Sequence, residues 1–538
     1  MHKHILLVFF YSVIFFTNAV QGQITTAASN SDSTRRIEII SGSSSRFITL
    51  DDSTSLRTLA GNAVVRQGNT ILSGDSIVLN SRTQVAEVFG RVHINDADSV
   101  NTYAQYLRYI GKDRVAYLKR NVKLTDGKGT LQTDDLVYDL ATGIATYKGG
   151  GRVVNGSSVL TSSDAVYYSN TKDVYFKKYV HLTDPKYDII ADSLLYNTQQ
   201  KIATLISPSV IKTKDGKTIR SKNGTYNLQT GEANFYDRTM ISDSSFSATA
   251  NNIFFDEKTG VSVLEGRAKY VDSINHIIAL GNRIESNRKE NSFLATQKPV
   301  VIIVKDKDST YIAADTLFSG LRKYDSTTKK NYTKVDTVNN RQVLTKTPQD
   351  SIRYVLGYNH VRIFNDSAQA VSDSMYYSTE DSVFRMFRDP VFWKENSQVS
   401  GDTMYLYTEN QKAKRLYVFN NSLVVNQSNP AMYNQGGGRT LNAYFNSGQI
   451  DYTRIKGTPA QTIFYPQDED SAYIGMNRSS GDVVDVYFVN EDVTKIKFVK
   501  DVNGIMYPIS QIPPDQRYLK NFKWEDKRRP KNKLELFE

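Results

Sequence analysis

The chain has 538 residues, no cysteine and a formal net charge of +11. The missing thiol excludes disulfides, thiolate metal sites, cysteine nucleophiles and a lipid-modified cysteine anchor. With 23% charged residues, 34 Tyr and only 12 Pro, the composition excludes a disordered polyelectrolyte and favours extended strands.

Residues 1–22 read as an export signal. Lys3 supplies the basic start, Ile5 to Phe16 the apolar stretch, and Thr17 to Gly22 a polar, small-residue exit. The apolar run is short for a span of about 20 residues, so cleavage near Gly22 is expected; an uncleaved anchor is the alternative. Without Lys3 the charge is 66 − 56 = +10. An exported basic chain meets lipid phosphates, acidic glycans or a membrane surface, and nucleic acid is not an expected partner. Past the signal, His93, His181, His276 and His360 lie far apart. No metal site and no cofactor are expected.

From about residue 35 a short motif recurs, approximately Ala/Ser/Gly-Asp-Ser/Thr-Leu-x-Tyr. It begins as Gly74-Asp75-Ser76-Ile77-Val78-Leu79 and returns around Leu107, Leu136, Val166 and Leu194. Degenerate copies start near Lys222, Asn251 and Asn282. Clear copies resume at Asp315, Asp373 and Asp402, and a weak one surrounds Asn442. The period is about 29 residues, giving roughly 12 tandem units. Residues 321–350 are polar and Thr/Lys-rich and read as a loop inserted within one unit. A second motif follows each copy, as in Ala86-Glu87-Val88-Phe89-Gly90-Arg91-Val92-His93-Ile94. Its alternation has period two, the pattern of strands with one buried face. One strand pair cannot bury its apolar face alone, so the units must stack into a single all-β solenoid. Two strands per unit at about 4.8 Å each predict an elongated body growing by about 10 Å per unit.

These paired motifs, for instance Ala191–Tyr196 and Ala86–Val92, resemble those of the OstA/LptA family of lipopolysaccharide-transport proteins. The resemblance covers about 35–455. The stretch from Tyr473 to Trp524 is similar to the C-terminal region of long OstA-like proteins. It implies an elongated V-shaped β-jellyroll, or β-taco, whose inner faces hold lipopolysaccharide acyl chains. It further implies a non-enzymatic periplasmic bridge, with an outer-membrane association, between an inner-membrane exporter and an outer-membrane translocon.

The residues suit that chemistry, because each buried CH₂ contributes roughly 0.8 kcal/mol without any directional bond. From the first motif the candidate groove-lining residues are Ile77, Leu79, Leu107, Leu136, Tyr138, Val166, Tyr168, Leu194, Tyr196, Met375, Tyr377, Met404 and Leu406. From the second they are Val88, Val92, Leu118, Val122, Phe176 and Val180. The bland alternative is that all of them fill a closed β-core. The repeated Asp offers no catalytic pair, since catalysis needs two carboxyl groups in one place. It reads as a strand-start or turn residue, and no catalytic residue is assigned.

Residues 456–538 lose the repeat, gain Pro and read as a capping or partner-docking end. Two rival functions stay open on sequence alone: a parallel β-helix that binds or cleaves acidic glycan, and a structural rod.

Overall fold

The structure, a computed structural model, describes residues 36–51, 54–304, 309–323, 333–338, 341–346, 351–409, 412–446, 449–489 and 492–537. The export-signal reading of 1–22 lies outside these residues, as does part of the 321–350 insert. Among the described residues, antiparallel strands joined by short turns run to Tyr507, and the helical elements are short 3-10 turns beyond it. The fold is all-β, as the period-two pattern requires. The chain divides into two compact units, one reaching Leu124 and including Val137–Thr142, the other made of Thr125–Leu136 and Gly143 onward.

In the first unit Thr54–Gln67, Thr70–Asn80, Val85–Asp96 and Val100–Ile110 form a meander, each pairing antiparallel with the next. Along Val85–Asp96, Ala86, Val88, Val92 and Ile94 are buried while Phe89 and Arg91 face outward. The second unit repeats this plan. In Asp173–Thr183 the first half pairs with Ser193–Asn197, the second half with Asp188–Ala191, and the ladder breaks between Lys177 and Val180. Each repeat therefore has two arms that meet at a corner.

The corner has a clear backbone cause. Two consecutive residues adopt positive φ at Gly61-Asn62, Gly90-Arg91, Arg120-Asn121, Gly149-Gly150 and Lys178-Tyr179. The same pair returns at Asp237-Arg238, Gly266-Arg267, Gln297-Lys298, Asn359-His360, Arg388-Asp389 and Asn420-Asn421. Left-handed residues turn a strand sharply, and Gly and Asn reach that conformation most easily. At Gly90 a Cβ would lie 2.3 Å from the Asp75 carboxylate, which would have to shift to admit a side chain.

The repeated Asp of the first motif belongs to this corner. Asp75 pairs with Arg91 at 2.6 Å, Asp164 with Lys178 at 2.9 Å, Asp315 with His360 at 2.9 Å and Asp373 with Arg388 at 3.5 Å. Asp402 accepts from the Asn421 amide at 3.0 Å. In each case the partner is one of the two left-handed residues. These carboxylates tie adjacent strands at the bend.

Tyrosines cross from one arm to the other. Tyr138 donates to Asp96 at 3.2 Å in the first unit, and Tyr167 donates to Asp126 at 2.6 Å in the second. Tyr109 bonds the buried Gln67 amide oxygen in the same way. Burial pushes the phenols of Tyr109, Tyr147, Tyr187 and Tyr196 up to about 12. Burial also works to raise the Asp126 carboxyl. The Tyr167 hydroxyl, the Gly129 and Lys128 N–H groups and the Lys172 ammonium outweigh it and hold that carboxyl below the usual carboxylate range. A depressed folded value gives stability that is complete above the unfolded value of about 3.9 and fades as pH falls through the folded one. Tyr167→Phe is therefore expected to destabilise by about 1.5–3 kcal/mol at neutral pH, with the deficit shrinking below about pH 4. Urea midpoints of both proteins across a pH series would check this, and a deficit independent of pH would refute it.

Where the insert interrupts the repeat, Thr316–Lys323 and Ser351–Phe364 pair directly, with Lys323 opposite Ser351. Thr333–Val338 and Arg341–Lys346 form a separate two-stranded sheet. Past residue 456 the strands continue through Met476–Val489, Asp492–Val499 and Asn503–Tyr507. The chain then reverses and runs back along the outside of the second arm.

Candidate functional site

Sixteen of the nineteen candidate lining residues lie in the interior: Ile77, Leu79, Val88, Val92, Leu107, Leu118, Val122, Leu136, Tyr138, Phe176, Val180, Leu194, Tyr196, Met375 and Met404 are buried, and half-buried Leu406 stands opposite the interior residue Leu416. Tyr377 is half-buried and stacks on Phe384 with ring centroids 4.3 Å apart. Val166 and Tyr168 require a correction of face. In that copy Ala165 and Tyr167 are the buried pair, Tyr168 is 38% exposed, and Ala165 stands opposite the interior residue Phe176. The copy is phased one residue earlier than its neighbours, so its alternation points the other way.

Most of this interior is filled. The crossing tyrosines and the aliphatic residues packed beside them occupy the space between the arms. The interior widens near the C-terminal end of the second unit, into a partly open cavity of about 870 Å³. Cross-strand register builds its floor. Leu416, Ala443, Thr453, Val486 and Ile496 line it and stand opposite one another on successive strands. Beside them run Leu441 and Ile455, also in register and also lining it. Phe445 opposite Ile450 and Phe488 opposite Val493 extend the floor toward the hairpin ends. The facing wall carries Phe392, Val399, Val424 and Gly436, again in register. A Cβ at Gly436 would lie 2.6 Å from Ile455, so glycine keeps the two arms from colliding there.

One end of the cavity is polar, with Lys394, Glu395, Asn396, Asn426, Asn434 and Gln467. Asn426 donates to the Ser397 hydroxyl at 3.1 Å, and Asn434 accepts from the Tyr465 N–H at 2.9 Å. The site thus offers an apolar trough with hydrogen-bonding groups at its mouth. Its volume lies within the range of small-molecule sites, and its chemistry suits an amphipathic ligand. Sequence reasoning missed Phe445, Ile455 and Phe488 because the motif is degenerate there. The surviving signal was alternation in strands longer than those upstream, such as Lys412–Asn429 and Gln449–Phe464. Among the described residues no group of three or more His, Cys, Asp or Glu is placed to hold a metal ion.

Fold and site together define an all-antiparallel β protein of two-armed repeats with an apolar interior that opens near one end. Residues 36–192 match the family of OstA-like proteins. Among solved structures, the chain is similar to LptH from Pseudomonas aeruginosa, described as the LptA homologous periplasmic component of the conserved lipopolysaccharide transport device. That similarity has 16% identity, covers 32% of this chain and 83% of LptH, and has a TM-score of 0.10. No curated protein matches the chain.

Proposed function

We propose that this chain is a non-enzymatic, periplasmic protein of lipopolysaccharide transport that holds lipid acyl chains between its two arms. The observation that carries this reading is the cavity of about 870 Å³ with an apolar floor and a polar mouth, in a chain whose residues 36–192 match OstA-like proteins. Burying roughly a dozen methylenes contributes on the order of 10 kcal/mol before ordering costs, enough to retain a lipid without a directional bond. In this reading the polar mouth meets the headgroup, and the chain passes lipid from an inner-membrane exporter toward an outer-membrane translocon. The filled interior of the upstream repeats favours a core role for Leu194 and its equivalents in the resting state.

Photocrosslinking tests the proposal. A photoreactive residue at Phe445 is expected to label lipopolysaccharide, and one at Tyr444, on the opposite face, is not. A probe at Leu194, compared with Ser193, asks whether the lipid also enters the upstream repeats. Adducts from neither Phe445 nor Leu194, in folded protein, would overturn the lipid reading and favour a structural rod.

A further inference from the structure

The segment after Tyr507 lies on a track built by cross-strand register. Along the outer face of the second arm, Gln369, Trp393, Gln398, Val425, Gln435, Ile463 and Arg478 stand opposite one another on successive strands. Amide or guanidinium groups alternate with large apolar ones. The three glutamines are buried, and a buried amide must be hydrogen-bonded to be tolerated. The C-terminal segment supplies a partner to each, beside the Asn365 carbonyl for Gln369, the Tyr433 carbonyl for Gln435 and the Trp393 indole for Gln398. Gln435 donates to the Arg517 carbonyl and accepts from the Leu519 N–H, both at 2.9 Å. Gln398 donates to the Lys523 carbonyl at 2.8 Å and accepts from the Glu525 N–H at 2.7 Å. Gln369 accepts from Arg529 at 2.8 Å, and Arg478 donates to the Gln516 carbonyl at 2.8 Å.

Each paired amide engages backbone groups two residues apart, as a neighbouring strand would. Ile512, ahead of these clamps, and Leu519, at one of them, pack with Leu423, Val425, Ile463 and Met476. Leu536 packs with Val300 and Phe364 at the far end of the track.

The same strands form the cavity wall, one layer thick. Phe392, Val399, Val424 and Gly436 line the cavity. Their chain neighbours Trp393, Gln398, Val425 and Gln435 face the C-terminal segment. Resting on the lipid reading above, we propose that residues 508–537 are a latch: docked, they stiffen the wall and retain the ligand; undocked, they let the wall move and the ligand exchange. The attachment suits reversible release. It rests on side-chain clamps and on the apolar side chains of Ile509, Ile512, Leu519, Phe522, Trp524 and Leu536, not on a sheet ladder, and Pro508, Pro513 and Pro514 mark where the segment leaves the last strand.

A disulfide lock tests this in full-length protein. The chain has no cysteine of its own, and a Cβ at Gly437 would lie 3.1 Å from the Leu519 side chain. The Gly437→Cys/Leu519→Cys protein is loaded with a pyrene-labelled fatty acid, and release is timed oxidised and reduced. Oxidation is expected to slow release about ten-fold. Leu519→Asp, which detaches the segment without crosslinking, is expected to speed it. Probe that binds but leaves at the same rate from the oxidised, reduced and Leu519→Asp proteins would overturn the latch and leave the lipid reading standing. Failure of the reduced protein and the parent chain to bind any probe would overturn both.

Discussion

Trp393→Ala is expected to destabilise the second unit by about 3–5 kcal/mol, the range for deleting a large buried aromatic side chain. Trp393 is fully buried, packs with Val371 and Val391, and donates its indole N–H to Gln398 at 3.3 Å. It sits between two of the glutamines that hold the C-terminal segment, so its loss leaves a void beneath the track and frees the Gln398 amide to rotate. Trp393→Phe keeps most of the volume and should cost clearly less. The readout is direct, because Trp393 and Trp524 are the only tryptophans and both belong to this interface. Circular dichroism gives the unfolding midpoint, and Trp524 emission in the Trp393→Ala protein reports whether the segment stays docked. A loss below about 1 kcal/mol would mean that the wall collapses onto the void.

Phe488→Asp is expected to lower affinity for a lipid probe by about 100-fold or more, since an unpaired carboxylate on an apolar surface loses hydration without compensation. Phe488 is half-buried and lines the cavity near a hairpin end, so the fold should tolerate the change. Tyr487 is the control. It points the other way and stacks on Tyr452 with centroids 5.8 Å apart, so Tyr487→Ser should leave affinity unchanged. Circular dichroism of both variants separates binding from folding. Equal affinity in Phe488→Asp and the parent would place the lipid elsewhere.

The period was legible because each repeat must bend once and tie the bend with the same side chain. That requirement wrote Asp75 and Asp164 into the sequence about three periods apart, and Asp373 and Asp402 one period apart. Burial was legible where apolar residues alternate with polar ones, as in Ala86-Glu87-Val88 and Val92-His93-Ile94. It failed in Ala165-Val166-Tyr167-Tyr168, where both phases are apolar and only pairing with Phe176 selects one. The cavity was hidden for a different reason. Its volume depends on what the two arms place opposite each other, such as Gly436 against Ile455, and no single strand encodes that. The track was hidden because its anchors are glutamines, which read as surface residues until a partner for their amides is known.

The corner sets the units in which such a chain can change length. The left-handed pairs at 61, 90, 120, 149 and 178 fall 29 or 30 residues apart. Removing the stretch between two corners rejoins equivalent positions, and every side chain downstream keeps its face. Removing one residue more or fewer turns the interior out between that point and the next bend. Gene rearrangement can therefore lengthen or shorten this architecture by whole repeats but not by fractions of one, and lengths among natural variants should cluster in steps of about 29 residues.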